Sequence, residues 1–260
     1  MLGLNLIAES FSTSSLFLTA ILLVVSFSFL YLFFRQEKKD SNPILDMALL
    51  RSKPFLAANL YNMMVGAGVF GTFAFIPLYA TSVHQLSTLA SGMILTPRSL
   101  GIIPASAITS FLLKRWGYRW PMLLGLIIIS LSTILLDTQG LQLLRIIGIH
   151  LGIVEILAVL IMATGIGIGI ALPASNNACI ELMPEKVATI TGLRGMFRSV
   201  GGAFGISLIT IILHSSSTPA QGFSATFLSF GFGLLLTIPL IFLMPTGKKG
   251  WNLPQEDLWR

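Results

Sequence analysis

Apolar residues run along this chain in stretches of about 20, parted by short segments where basic residues, proline, glycine and small polar residues collect. Wound as helix at 1.5 Å per residue, a stretch of that length crosses a ~30 Å hydrocarbon layer. The pattern predicts seven spans, at about 14–34, 55–80, 89–113, 121–136, 153–172, 189–213 and 223–244. Pro173 is expected to end the fifth, with ASNNACIELMPEK as the connection after it. LQLLRIIGIHLG, which carries Arg145 and His150, is expected as an interfacial helix on the outer side.

The polar segments set the expected topology. Arg35, Lys38 and Lys39, the KRWGYRW loop, Lys186 with Arg194, and the TGKK segment alternate with connections poor in Lys and Arg, such as TSVHQLST and HSSSTPAQG. Because Lys and Arg are retained on the cytoplasmic side, the N-terminus is expected outside and the C-terminus inside, in the plasma or inner membrane. The divisions are a linking span over 1–35, a cytoplasmic linker over 36–54 broken at Asn42-Pro43, a six-helix domain over 55–245 and a tail over 246–260.

Composition agrees: 54% of the 260 residues are hydrophobic and 10% charged, against roughly a quarter charged in soluble domains. An all-α membrane protein follows, with lipid as its solvent. The net charge of +6 is not gathered into a basic stripe with interleaved aromatics, so no nucleic-acid partner is expected. A lone cysteine, Cys179, offers no intrachain disulfide and no Cys/His cluster for zinc; neither metal nor other cofactor is expected. No nucleophile constellation points to an enzyme. The first apolar run has no basic segment before it and ends at RQEKK, so it is taken as a retained span, not a cleaved signal peptide.

Arg98 is the most informative position, about ten residues into the third span and hence near mid-membrane, where a guanidinium faces a bundle interior or an aqueous cavity and needs a partner. Pro97 and Pro104 bend that span, and Gly92 and Gly101 admit close neighbours. Gly165 and Gly169, like Gly201 and Gly205, have small-residue packing spacing; Gly165, Gly167 and Gly169 lack the strand and spacing of a nucleotide loop. Arg194 and Arg198 share a face of the sixth span. Arg194 is expected to snorkel to headgroups, whereas Arg198 has an interior partner and a lipid phosphate as equal alternatives. Asn59 and Asn62, and Asn176 and Asn177, could bond substrate or simply neighbouring helices. Glu155 could titrate as a proton-coupling carboxylate or lie in the outer interface.

Two stretches, LTPRSLGIIPASAITSFLLKRWGYR and ALPASNNACIELMPEKVATITGLRGMFRSVGGAFGISL, resemble the C-terminal half of major facilitator superfamily transporters, in the 14-helix drug:proton antiporter branch. The loop Ser110-Phe-Leu112-Leu-Lys114-Arg115-Trp-Gly117-Tyr-Arg119 resembles a degenerate copy of that superfamily's loop motif, with Ser110 where the motif usually has Gly and Lys114 where it has Asp. Arg198 with Gly201-Gly202 is similar to the branch's Arg-x-x-Gly-Gly pattern. The FFRQEKKDSNPILDMALLRSKPF stretch resembles its link between central helices and C-terminal domain.

The resemblance implies one inserted helix followed by a six-helix half built as a 3+3 inverted repeat. It also implies efflux of drugs or toxic small molecules driven by protons, with about seven further helices preceding Met1 or supplied as a separate N-terminal half chain. Two rival expectations stand beside it: a truncated fragment that inserts without transporting, and a seven-helix receptor or sensor.

Overall fold

The structure, a computed structural model, describes residues 52–137, 139–142, 152–182 and 184–244, together with residues 17, 21, 24–29, 31, 32, 35 and 36 of the first apolar run. The 37–51 part of the linker, the segment with Arg145 and His150, and the tail over 246–260 lie outside the described residues. So does most of the first expected span, whose residues 24–29 are helical.

The described chain is helical throughout. Its elements are α1 (Lys53–Gly66), a π-helical turn (Ala67–Gly71), α2 (Thr72–Ser82), α3 (Thr88–Met93), α4 (Thr96–Trp116), α5 (Arg119–Leu135), α6 (Ile153–Glu181), α7 (Val187–Ser215), α8 (Pro219–Leu235) and α9 (Ile238–Leu243). Among the described residues, four helical runs are long and apolar enough to cross a membrane: Lys53–Ser82, Ile153–Glu181, Pro184–Ser215 and Pro219–Leu243. Arg119–Leu135 is a shorter apolar helix. α4 has 21 residues but carries Arg98, Lys114 and Arg115, which lower its apolar character. This is an all-α membrane protein, and its surface matches: Leu100, Ile103, Phe111, Met196, Val200 and Phe204 are all exposed apolar side chains, as lipid as solvent permits.

Three expectations are corrected. Pro173 does not end the fifth span; α6 runs through it to Glu181, so Asn176 and Asn177 lie inside the helix. Proline in a membrane helix deletes one backbone donor, here the one that would serve the Gly169 carbonyl, and a packed membrane helix tolerates the loss; one turn further on, the Asn177 amide donates to the Pro173 carbonyl at 2.8 Å. The third span is not one bent helix but two, α3 and α4, parted at Ile94-Leu95. Pro97 has no N–H to give to the carbonyl four residues back, so the regular ladder is interrupted there, and the turn is held by three-residue bonds, from the Leu95 N–H to the Gly92 carbonyl at 3.2 Å and from the Arg98 N–H to the Leu95 carbonyl at 3.3 Å. The seventh span begins at Pro219 and is likewise divided, at Leu236-Thr237.

Close backbone contact holds the long helices together. A Cβ on Gly201 would strike the carbonyl of Met63, and one on Gly66 that of Arg198, so α1 and α7 meet with no side chain between them. α4 and α6 meet the same way, Gly165 lying on the carbonyl of Arg98 and Gly101 2.5 Å, measured from a notional Cβ, from that of Met162. Without a hydrophobic drive between helices in lipid, such van der Waals seams and polar bridges carry association.

These two seams are the same device used twice. Met63-x-x-Gly66 faces Arg198-Ser-Val-Gly201, and Met162-x-x-Gly165 faces Arg98-Ser-Leu-Gly101. The two Arg-Ser-x-Gly segments lie one hundred positions apart. The helix triplets before and after residue 152 thus hold equivalent contacts, as expected of an internal repeat.

Polar ties close both ends. At the end bearing Gly117, the φ of 69° at that residue lets α4 turn directly into α5, a conformation glycine adopts without strain. Arg119 at the start of α5 donates to the carbonyls of Phe242 and Met244, at 2.8 and 3.2 Å, and so caps α9 with a cation. Tyr118 beside it is buried against Glu181; burial first, and that carboxylate second, push its phenol above the ordinary value. At the opposite end the Tyr79 hydroxyl donates to the Leu136 carbonyl at 2.7 Å, and its ring packs against His84, Phe223 and Phe227 with centroids 4.8–5.1 Å apart.

Candidate functional site

Between the middle of the bundle and its Gly117 end lies a cavity lined from α1 and the π turn by Tyr61, Asn62 and Phe70, and from α6 by Ala171 and Ser175. α4 contributes Arg98, and α7 contributes Arg194 and Arg198. The cavity measures about 50 Å³, room for a few water molecules. Small-molecule sites usually enclose 300 Å³ or more.

Each arginine arrives by a different local route. Arg98 sits in the first turn of α4, just past the Ile94-Leu95 break, and its guanidinium lies 4.1 Å from the centroid of the Phe73 ring. A face stacked on an aromatic ring leaves the in-plane N–H donors free. Arg198 extends over Phe70, 5.5 Å from its centroid. Phe70 belongs to the π turn, a distortion frequent at functional positions in membrane and soluble helices alike.

Arg194 overturns its expectation. It is 7% exposed and lines the cavity, within electrostatic reach of Cys179, Arg198 and Tyr61. At ~10 Å from the start of α7 its stem is long enough to snorkel, but its side of the helix faces α1 and α6. Depth along a helix cannot reveal that direction. The repeat could have: one hundred positions earlier stands Ile94, 2% exposed, an interior position.

Asn62 ties α1 to α6. Its amide nitrogen donates to the Ala58 carbonyl at 2.7 Å and approaches the Cys179 sulfur at 3.5 Å, while its oxygen accepts from the Ser175 hydroxyl at 3.1 Å. Asn59, also buried, donates to the Phe55 carbonyl at 2.9 Å and does not line the cavity. Glu155 is exposed in the first turn of α6, far from the arginines. Of the loop residues, Ser110, Lys114 and Arg115 are exposed, Leu112 is half-buried, Gly117 makes the turn and Arg119 caps α9. Among the described residues Asp137, Glu155, Glu181 and Glu185 are the carboxylates, each at or beyond a helix end, and none lines the cavity. The described residues also hold no group of His, Cys, Asp and Glu suited to a metal.

The resulting arrangement is a cationic, donor-rich pocket inside a closely seamed helical bundle. The chain is 27% identical over 210 residues to the multidrug transporter protein MdtP of Bacillus subtilis strain 168, covering 80% of this chain and 36% of that protein. It is 27% identical over 256 residues to the quinolone resistance protein NorB of Staphylococcus aureus strain MRSA252, covering 94% of this chain and 53% of that protein. The chain therefore spans between about a third and a half of the length of these relatives. The sequence profile of the Major Facilitator Superfamily matches residues 90–260, and with that the seamed bundle has its place: the chain belongs to the Major Facilitator Superfamily.

Proposed function

We propose that this chain works in the efflux of drug-like small molecules across the plasma membrane, as the C-terminal half of a transporter whose remaining helices lie on the same polypeptide or on a second one. The observation that carries the reading is the cavity itself. Three arginines converge on it from two pseudo-equivalent helices, at the depth where membrane-embedded charge marks a transport route. The names of the relatives supply the substrate class, multidrug and quinolone. In this reading six helices over 55–245 form the rocking unit, the Gly117 end is cytoplasmic and the N-terminus is outside. Protons drive the cycle, taken up by a carboxylate outside the described residues, since Glu155 stands away from the cavity.

A chain that inserts but transports nothing alone is the second reading, and the small size of the cavity favours it. Deleting the coding segment from its source cells tests the first: norfloxacin and ethidium accumulation should rise at least about twofold, and unchanged accumulation in cells that make the protein overturns it. An antibody against the WNLPQEDLWR tail separates the two architectures. A membrane band well above 28.1 kDa means that the helices continue on one polypeptide, whereas a band at that mass calls for a partner chain or an inactive product.

A further inference from the structure

We infer that this cavity recognises a carboxylate carried on an otherwise apolar small molecule, a proposal that rests on the transport reading above and names its substrate class. The polar groups around the cavity are almost all donors. Nε of Arg98, Nε of Arg194 and the hydroxyl of Tyr61 are buried without a hydrogen-bond partner among the described residues. The Asn62 oxygen on the same wall already takes the Ser175 proton.

Each unmet donor inside a bundle costs free energy, and each unpaired guanidinium costs more. What meets such a set is an acceptor-only group with a negative charge, and the planar guanidinium fork matches a planar carboxylate bidentately. Size selects further: about 50 Å³ admits a three-atom anion more readily than a hydrated phosphate, and the body attached to the anion extends out of the cavity. The rest of the wall is apolar, with Val65, Val69, Ile129, Ile168 and Leu172 around the arginines, so the part of the body next to the anion is apolar too.

Arg194 gives the site its character. Arg98 and Arg198 both recur in the repeat and both rest on an aromatic ring, whereas Arg194 replaces the buried Ile94 of the first half and adds a third positive charge next to Arg198. Two cations placed together within a membrane repel unless an anion lies between them.

The test uses the full chain in phosphatidylcholine nanodiscs and titrates it calorimetrically with three matched probes: 4-phenylbenzoate, 4-phenylbenzylamine and 4-phenylbenzyl alcohol. The carboxylate should bind at least about tenfold tighter than the amine and the alcohol. Arg194→Gln should remove most of that margin, weakening the carboxylate far more than the alcohol, and Arg194→Lys should restore part of it. Equal affinities, or a preference for the amine, overturn the proposal without any variant, so it stays testable if Arg194→Gln fails to fold. Replacing a third of the lipid by phosphatidylglycerol is the second arm. A tenfold loss of affinity there for both 4-phenylbenzoate and the uncharged alcohol, which the surface charge of the bilayer does not repel, would identify a lipid headgroup as the natural anion and overturn the substrate assignment; an unchanged alcohol affinity supports it. The accumulation assay above fails independently: efflux of ethidium without a carboxylate preference sinks this inference alone, and a carboxylate preference without efflux sinks only the transport reading.

Discussion

The seam between α1 and α7 and the seam between α4 and α6 begin from the same contacts and end differently. In both, an Arg-Ser-x-Gly segment presses its backbone onto a Met-x-x-Gly segment, and in both a Cβ at the central glycine has nowhere to go. Yet α6 is one regular helix of 29 residues that runs past its seam glycine and through a proline, whereas α1 passes into the π turn at Ala67–Gly71 directly after its seam glycine. The arginines follow suit, Arg98 tight on Phe73 and Arg198 looser on Phe70. Packing contacts have stayed alike in the two halves, while the surfaces that meet the cavity have diverged. A buried Ile94 in one half and a buried Arg194 in the other is the sharpest instance.

The comparison can be broken most violently at the seams. Gly165→Val and Gly201→Val should each cost at least about 1–3 kcal/mol, because the new side chain would meet carbonyl oxygen and not a movable side-chain tip. Loss of the monodisperse peak in detergent size-exclusion chromatography reads this, and a large difference between the two variants would refute their equivalence. Next comes the tie that only the α1–α6 contact has: Asn62→Ala should lower stability by about 1 kcal/mol, measured by thermal unfolding in detergent. The aromatic rests differ more finely. Phe73→Leu should cost more than Phe70→Leu, both within the ~0.5–2 kcal/mol of a cation–π contact, since only the first ring lies within 4.1 Å of its guanidinium.

Tyr118 supplies a pH signature at the Gly117 end. With its phenol raised in the folded state, the protonated form is favoured by folding; that stability is complete below the unfolded value of ~10 and lost as pH climbs through the folded one. Tyr118→Phe should flatten the alkaline limb of a stability–pH curve. The smallest effect belongs to Gly92→Ala and Gly192→Ala, again one hundred positions apart, where a Cβ meets nothing within 4 Å. Both should be neutral or stabilising by up to about 1 kcal/mol, and a loss at either would point to a neighbour outside the described residues.

Much of the architecture was legible in the apolar runs, because hydrophobic length is a one-dimensional property of the chain. The small-residue spacings at Gly165, Gly169, Gly201 and Gly205 also lie where backbones meet. What could not be read was direction around a helix axis. Arg194 was placed at the headgroups because its distance from the helix end allowed it, while the side it occupies depends on partners far off in sequence. Pro173 and Pro97 show a second limit. The same residue type lies inside one helix and opens another, Pro173 within α6 and Pro97 in the first turn of α4. The Arg-Ser-x-Gly repeat was in plain sight and would have aligned Arg194 with an interior position.

The equivalent seams differ in one more respect, the order in which synthesis can complete them. The partners of the α4–α6 seam are roughly half as far apart in sequence as those of α1–α7, and Arg119 waits 125 residues for Met244. At ~5–20 residues per second, the first helix of the bundle and the Arg119 guanidinium spend several seconds or more in the membrane before their partners emerge. The nascent chain thus passes through a half-assembled stage in which one seam is closed and the other open, and an insertase or neighbouring lipid must hold α1 meanwhile.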